Sequence, residues 1–155
     1  MEGSLVSYRK ARIDDVDAIH SQVNYYAGLG LTMARSLSML YECIREFTVA
    51  VIDGRVVGTV SLHIVWKDLA EIRALTVDPN HVRRGIGRNL VCAAMDEARE
   101  LRIPRLFALT YKEEFFRKCG FSPAPKEELP QKVWRDCIEC PKFPNCDEDA
   151  VVIDL

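Results

Sequence analysis

One segment constrains the fold more than any other: a strand that leads through a turn and a glycine-bearing loop into a long helix. It reads Leu75-Thr76-Val77-Asp78-Pro79-Asn80-His81-Val82-Arg83-Arg84-Gly85-Ile86-Gly87-Arg88. Gly85 and Gly87 let the backbone approach a ligand, because no Cβ stands in the way. The first amides of a helix lack intrahelical acceptors, and the helix dipole favours an anion there. The segment therefore predicts a phosphate site lined by backbone amides, to which three arginines add charged donors: Arg83, Arg84 and Arg88.

The rest of the pattern predicts a single α/β domain over residues 1–155. Period-two alternation and β-rich runs predict strands at 5–10, 47–52, 55–66, 69–78, 105–110 and 149–155. Apolar residues at spacings of three and four predict helices from Asp14 or Asp15 to Gly28, at 35–46, at 88–101 and at 112–118. An Asp53-Gly54 pair between two strands predicts a tight hairpin.

Charge and composition limit the class of partner. The formal net charge is −2, which gives no reason to expect a nucleic-acid or anionic-membrane partner. The N-terminus lacks the apolar run of a signal peptide, and no stretch approaches the roughly 18–20 apolar residues of a membrane span. We expect a cytoplasmic protein with small-molecule partners only.

Six cysteines are present, and three of them lie close together near the C-terminus as Cys137, Cys140 and Cys146. A C-x2-C pair suits one zinc ion, but the sequence offers no evident fourth ligand. The favoured interpretation is a proline-stiffened loop with reduced thiols, and no metal site is predicted.

The ordered set of elements, with Phe115-Phe116-Arg117-Lys118-Cys119-Gly120-Phe121, resembles the GNAT superfamily of N-acetyltransferases over nearly the whole chain. The resemblance implies a mixed central sheet splayed between its fourth and fifth strands, with acetyl-CoA as co-substrate. It implies that the pantetheine arm pairs with the backbone of Leu75, Thr76 and Val77, and that the Val77 N–H polarises the thioester carbonyl. It assigns the pyrophosphate to the loop residues Val82, Arg83, Arg84, Gly85, Ile86, Gly87 and Arg88.

Two positions depart from that family pattern. Val82 stands where the loop usually begins with Gln or Arg, so one side-chain contact to phosphate is missing while the backbone donors remain. Phe116, which the resemblance places at the cofactor, stands where many members carry a tyrosine that protonates the leaving thiolate. Tyr111 is near in sequence.

More specific segments resemble the short, stand-alone bacterial N-acetylglutamate synthases, which open arginine biosynthesis. These segments are 28–36, Ala70-Glu71-Ile72-Arg73, 107–111 with Glu114-Phe115-Phe116, and Glu128-Leu129-Pro130-Gln131-Lys132-Val133-Trp134. This resemblance implies acetyl transfer to the α-amine of L-glutamate, and small enzymes of this kind allow a homodimer.

The chemistry of that transfer selects candidate side chains. An ammonium group must lose a proton before it attacks, and Glu71 is the candidate base, although an ion pair with Arg73 is the competing interpretation. A dicarboxylate acceptor needs cations, for which Arg35, beside Ser36, and then Arg73 are the candidates. His63 could shuttle protons and Lys132 could contact a carboxylate, but packed or solvated side chains are favoured for both.

Two other functions stay open at this point. One keeps the fold and changes the acceptor to another amino acid, a small amine or a protein N-terminus, because loops set the substrate. The other is a sensor module that binds CoA with little turnover, an interpretation that Val82 and Phe116 keep open.

Overall fold

The computed structural model describes residues 5–129 and 148–155. The described strands are β1 (Ser7–Lys10), β2 (Phe47–Ile52), β3 (Arg55–Trp66), β4 (Leu69–Val77), β5 (Arg105–Thr110), β6 (Ser122–Pro123) and β7 (Asp149–Asp154). The helices are α1 (Val16–Gly28), α2 (Leu37–Glu42), α3 (Ile86–Glu100) and α4 (Glu113–Lys118). Short 3-10 turns at Ile13–Asp15, Ile44–Glu46, Pro79–His81 and Lys126–Glu128 accompany them.

The strands form a mixed sheet in the order β1-β2-β3-β4-β5-β7-β6. Neighbouring strands are antiparallel at β1–β2, β2–β3, β5–β7 and β6–β7, whereas β4 and β5 pair in parallel at Ala70↔Leu106 and Glu71↔Phe107. This arrangement is the predicted mixed α/β sheet. By chain contacts the molecule divides into unit 1 (Met1–His63 with Ile72–Glu97) and unit 2 (Ile64–Glu71 with Ala98–Leu155); the single domain over 1–155 stays a prediction.

The hairpin between β2 and β3 forms where the sequence predicts it. Asp53 and Gly54 have φ of 50° and 77°, the left-handed pair that a two-residue turn of this twist requires. The turn sets the register Ile52↔Arg55, and β3 then runs for 12 residues. The hairpin therefore fixes which side chains of β3 share a face.

In unit 1, one face of the sheet packs against α1 and α2. The side chains that meet there are almost all fully buried, namely Val16, Ile19, Val23, Leu40, Ile44, Phe47, Val49 and Val51. The predicted apolar stripe of α1 is therefore the core stripe of this unit.

The opposite face of β3 carries α3 at very close range. A Cβ built on Gly58 would lie 2.9 Å from Leu90 Cδ1, 3.1 Å from Ile86 Cγ2 and 3.2 Å from the Thr76 carbonyl oxygen. Glycine is therefore required by space at this position. The same contact explains why α3 begins at Ile86, two residues before the predicted start: Ile86 is 1% exposed and packs as part of the helix.

Helix α2 is shorter than the predicted helix over 35–46. Ser36 caps it, because its Oγ accepts a hydrogen bond from the Met39 amide at 3.1 Å, and the last predicted turn is the separate 3-10 turn Ile44–Glu46. The cap fixes the position of Arg35 immediately before the helix.

The chain enters α1 through a buried carboxylate. Asp15, 6% exposed, accepts hydrogen bonds from the Arg9 guanidinium at 2.7 and 3.0 Å and from the Arg12 amide at 2.7 Å. The bond from Arg9, followed by the Arg12 amide and the positive charges, lowers the pKa of Asp15 against the opposing effect of burial. Asp15 therefore stays ionised and fixes the start of α1 to β1.

Unit 2 has its own core around β5, which pairs with β7 from Arg105↔Asp154 to Thr110↔Asp149. Its buried members are Val65, Leu69, Phe107, Leu129 and Ala150. Within the described ranges, no helix has the length and hydropathy needed to cross a bilayer, and no cluster of His, Cys, Asp or Glu is arranged to hold a metal ion.

Candidate active site

The loop between β4 and α3, residues 82–88, is called the anion loop here. It follows a 3-10 turn in which the Asp78 carboxylate accepts from the Asn80 amide at 2.8 Å. Arg83 and Gly85 both have left-handed backbones, with φ of 65° and 77°. A left-handed arginine costs about 1–2 kcal/mol, and such strained positions cluster at ligand sites. The loop therefore carries a conformation typical of an anion-binding turn.

The space beside the anion loop suits a phosphate group. A Cβ on Gly85 would meet no atom within 4 Å. The Asn89 amide donates to the Gly85 carbonyl at 3.0 Å, so Gly85 immediately precedes the 15-residue helix α3 and accepts a hydrogen bond from its first turn. Val82 is 49% exposed, and Arg83, Arg84 and Arg88 are exposed. Backbone donors at a helix start, open space and nearby cations fit a diphosphate.

The last peptide of β4 is held from two directions. The Asp78 amide donates to the Val57 carbonyl of β3 at 2.8 Å, and the Tyr26 hydroxyl of α1 donates to the Val77 carbonyl. Burial, followed by the charges of Tyr25 and Asp78, raises the pKa of Tyr26, which keeps this donor protonated. In a trans peptide the C=O and N–H point in opposite directions, so the Val77 carbonyl faces away from β3.

The direction of the Val77 N–H can be derived from the direction of the Val77 carbonyl. A strand residue presents its N–H and C=O to the same side. The Val77 N–H therefore also faces away from β3, as a donor of the predicted role requires. Leu75 and Val77 are half-buried and Thr76 is 3% exposed.

A break in β4 separates this end of the strand from its beginning. Ala74 has φ of 49°, which a non-glycine residue adopts only at a local irregularity such as a bulge. Strict alternation along β4 is thereby interrupted between Arg73 and Leu75. The Ala74 carbonyl accepts from Thr59 Oγ1 at 2.7 Å, so the irregularity is tied to β3.

A buried polar chain crosses the face of unit 1 that α1 covers. The hydroxyl oxygens of Thr59 and Thr76 lie 2.7 Å apart, and Thr76 Oγ1 lies 3.1 Å from Gln22 Oε1. Gln22 in turn donates to the Val56 carbonyl at 2.8 Å. These bonds hold α1 in register with β3 and β4 at the level of Val77.

Glu71, the predicted base, is 4% exposed and lies in unit 2, on the part of β4 that pairs with β5 at Phe107. Phe116, predicted at the cofactor, is also in unit 2 and is 4% exposed. Its ring packs edge-on against Phe115 and Phe121, with centroids 5.2 Å apart in each pair. The functional roles of Glu71 and Phe116 stay predictions.

Arg35 is held by its backbone. Asn24 of α1 accepts from the Arg35 amide at 2.9 Å and donates to the Arg35 carbonyl at 2.8 Å. The half-buried side chain is therefore presented from a fixed main chain, while the neighbouring Ser36 is exposed and serves as the α2 cap.

The structure brings the two predicted acceptor cations into one electrostatic neighbourhood. Burial, followed by Glu46, raises the pKa of the Cys43 thiol, whereas Arg35 and Arg73 both lower it. Arg73 also lowers the pKa of Glu46. Residues that come from the loop before α2 and from β4, distant in sequence, therefore converge within unit 1.

His63 joins this group of residues through its contact with Glu46. Its Nδ1 is 3.2 Å from each Glu46 carboxylate oxygen, and Ser61 Oγ donates to Glu46 Oε1 at 3.2 Å. Burial raises the pKa of Glu46, but the bonds and charge of His63, the Ser61 bond and Arg73 together bring it below its usual value. Glu46 is therefore ionised. These residues, Arg35, Cys43, Glu46, Ser61, His63 and Arg73, are called the polar cluster below.

Sequence reasoning missed three residues that position this site: Asn24, Tyr26 and Glu46. The signal for Tyr26 is its hydroxyl, which, like the side-chain amide of Gln22 four residues earlier, needs a hydrogen-bond partner when it is partly buried. Glu46 is found only by its contact with β3. Lys132 and the cysteines at 137, 140 and 146 lie outside the described residues.

Comparison with known proteins places the chain in a family. Residues 18–121 match the acetyltransferase (GNAT) family. The chain is 41% identical over 144 residues to an uncharacterized N-acetyltransferase from Chlorobaculum tepidum, covering 93% of each protein. It is 43% identical over 117 residues to the amino-acid acetyltransferase of Mycobacterium tuberculosis, covering 74% of this chain and 67% of the relative.

Solved structures agree with these matches. The structure of Rv2747 from Mycobacterium tuberculosis in complex with CoA and NLQ has a TM-score of 0.85 and 33% identity, covering 96% of this chain and 99% of that one. N-acetylglutamate synthase from Neisseria gonorrhoeae, complexed with coenzyme A and N-acetyl-glutamate, has a TM-score of 0.86 and 30% identity; this chain is covered to 99% but spans only 36% of that chain. The family and fold predicted from the strand–loop–helix segment are confirmed: the chain belongs to the GNAT family of acetyltransferases.

Proposed function

We propose that this acetyltransferase moves the acetyl group of acetyl-CoA to the α-amine of an amino acid, and that the amino acid is L-glutamate. In this role the enzyme catalyses the first step of arginine biosynthesis. The observation that carries the proposal is that the charges of Arg35 and Arg73, which lie far apart in the sequence, both act on Cys43. Two guanidinium groups suit an acceptor with two carboxylates, because each forms forked bonds to a carboxylate.

The anion loop supplies the grip on CoA in this proposal. The amides at 82–88 hold the diphosphate, with Arg83, Arg84 and Arg88 adding charge. The backbone of Leu75–Val77 pairs with the pantetheine arm. The open space beside Gly85 supports this assignment, since a phosphate would occupy it.

The Val77 amide stabilises the charge that develops on the thioester oxygen. Its direction away from β3 and the bond from Tyr26 to the Val77 carbonyl support this role. A donor fixed before the reaction costs no reorganisation, and one such donor contributes a few kcal/mol, about 3–4 in a known case. Glu71 is kept as a proton acceptor for the amine, and Ser36 as a residue beside the acceptor.

The relatives support the choice of acceptor. Proteins named amino-acid acetyltransferase are similar to this chain over most of its length, and one similar structure holds N-acetyl-glutamate with coenzyme A. Release of free thiol from acetyl-CoA, measured with a panel of amino acids, small amines and N-terminal peptides, tests the proposal. We expect release that is selective for L-glutamate. If thiol is released only with another amine, that amine and not glutamate is the acceptor. If the protein binds CoA but releases no thiol with any amine, it is a sensor.

The assembly belongs to the same proposal. The proposal allows a homodimer as well as a monomer, and light scattering coupled to gel filtration distinguishes the two.

A further inference from the structure

The polar cluster contains an imidazole–carboxylate pair that the proposed chemistry has not yet used. His63 places Nδ1 3.2 Å from both oxygens of Glu46, and Glu46 is held in turn by Ser61 Oγ at 3.2 Å. Ser61 is fully buried, whereas the side chain of His63 is 24% exposed and that of Glu46 30%. The pair is thus anchored on its protein side and reachable on the other.

The carboxylate determines the protonation pattern of the ring. An ionised Glu46 can only accept, so Nδ1 carries the hydrogen and donates it. In the neutral ring the other nitrogen, Nε2, then holds the free lone pair. A carboxylate that fixes the tautomer of a histidine in this manner also stabilises the imidazolium that forms when Nε2 takes up a proton.

Acetylation of an amine requires such an acceptor. The ammonium nitrogen of the substrate carries three protons and the amide nitrogen of the product carries one, so two protons must leave. As the C–N bond forms and the C–S bond breaks, one of these protons is needed by the departing sulfur, and the other must reach solvent. A partly exposed imidazole can deliver a proton to solvent, whereas Glu71, 4% exposed, is far less accessible to water.

We propose that His63, oriented by Glu46 and Ser61, is the base that takes the first proton from the α-ammonium group of the acceptor and passes it to solvent. This inference rests on the proposed function. An α-ammonium lies one carbon from its carboxylate, so a carboxylate bound to Arg73 brings the ammonium towards Glu46 and His63. The second proton leaves the nitrogen as the new C–N bond forms and is taken up by the departing sulfur.

The charged and titratable groups around this pair come from three elements. Arg73 on β4 is positive, Glu46 on the 3-10 turn before β2 is negative, and Cys43, which follows α2, is reached by the charges of Glu46, Arg35 and Arg73. The pair therefore lies among charges of both signs, to which a bound acceptor adds its carboxylates.

The pH dependence of kcat/KM tests this assignment. In the wild type we expect kcat/KM to rise with pH along a limb that reports the deprotonation of a base. His63→Gln keeps a donor for Glu46 but removes the base. We expect a loss of about 100-fold at pH 7, disappearance of that limb, and a rate that rises with pH as the free amine of the acceptor becomes available.

Two further measurements separate proton transfer from structural support. Imidazole added to His63→Ala should restore part of the rate, whereas the affinity for CoA, measured by calorimetry, should be unchanged in every variant. Glu46→Gln should lower kcat less than His63→Gln does, and His20→Gln, a histidine of α1 outside the cluster, should resemble the wild type.

Each outcome decides between the two proposals. Suppose that the wild type is active and that His63→Gln has the same pH profile and a rate within threefold of it. That result overturns the assignment of His63 as the base but leaves the proposed function intact. A wild type that acetylates a different amine still allows the same comparison with that amine. A wild type that transfers acetyl to no amine overturns both the function and the base.

Discussion

The anion loop and the polar cluster lie in the same unit but are built on opposite principles. The loop presents main-chain amides at a helix start, in open space, and needs few particular side chains. The cluster presents polar side chains that are buried or half-buried and come from four separate segments, and within it Glu46, Ser61 and His63 hold one another. Binding that depends on backbone tolerates variation such as Val82, whereas selection of an acceptor depends on each partner. The two regions should therefore fail separately when they are mutated.

The largest effect is expected at the loop. Gly85→Ala places a Cβ in the space assigned to phosphate, and we expect loss of CoA affinity of at least about 100-fold in calorimetry. Gly54→Ala is the matched control, because Gly54 has the same φ of 77° and equally open space. Both variants pay the left-handed backbone strain of about 1–2 kcal/mol, but only the first should lose CoA. Equal CoA affinity in the two variants would remove the loop from the site.

The next effect belongs to the polar cluster. Arg35→Ala should raise the KM for glutamate about 10- to 100-fold, since a bond between charged groups contributes about 1.5–3 kcal/mol. The KM for acetyl-CoA should not change. Arg55→Ala removes an exposed arginine of the β2–β3 hairpin and serves as the control. If Arg35→Ala altered both KM values alike, the two regions would not be separable as described.

A smaller effect is expected at Val77, which lies on β4 between Arg73 of the polar cluster and the anion loop along the chain. Tyr26→Phe removes the hydroxyl that donates to the Val77 carbonyl, so the amide of that residue is less well fixed. We expect kcat to fall about five- to tenfold with both KM values nearly unchanged, the size of one ordinary hydrogen bond. Tyr25→Phe is the control, because Tyr25 contacts the same ring edge-on at 5.1 Å but is 52% exposed. An unaltered kcat in Tyr26→Phe would mean that Val77 needs no such support.

We expect Asp15→Asn to leave kcat and both KM values unchanged at 25 °C. This substitution should affect only the stability of the fold. Because the folded pKa of Asp15 is depressed, its contribution is present above the carboxyl pKa of the unfolded chain, near 4, and is lost as pH falls through the folded pKa. At neutral pH the variant should lose about 2 kcal/mol of unfolding free energy in urea titrations. The difference from wild type should shrink in acid, and Asp14→Asn, 82% exposed, should show no such pattern.

The sequence predicted what local chemistry determines. The hairpin at Asp53-Gly54 and the strands on either side of it appear at their predicted bounds, because turn geometry fixes the register. The anion loop was predictable for the same reason. What escaped prediction depends on distant partners: Ile86 joins α3 because Gly58 receives it, and the left-handed Ala74 has no sequence signal of its own.

The candidate site divides along the same line. Arg35 and Arg73 could be named from the resemblance, but their convergence required the fold to bring the loop before α2 to β4. The sequence favours a packed or solvated position for His63, because its partner Glu46 precedes it by 17 residues and lies on the 3-10 turn before β2. A sequence can indicate single candidate residues, but it does not show which residues of distant elements form a hydrogen-bonded pair.

The glycine at position 58 has a consequence for how tightly a nucleotide could be held. Because Ile86 and Leu90 rest directly on it, this residue sets the height of α3 above the strand, and with it the height of the amides at 86–88. A methyl group at this position would push α3 away from β3 and displace these amides. In the proposed function, Gly58 therefore influences the affinity for CoA from the interior of the protein, without contacting the phosphate.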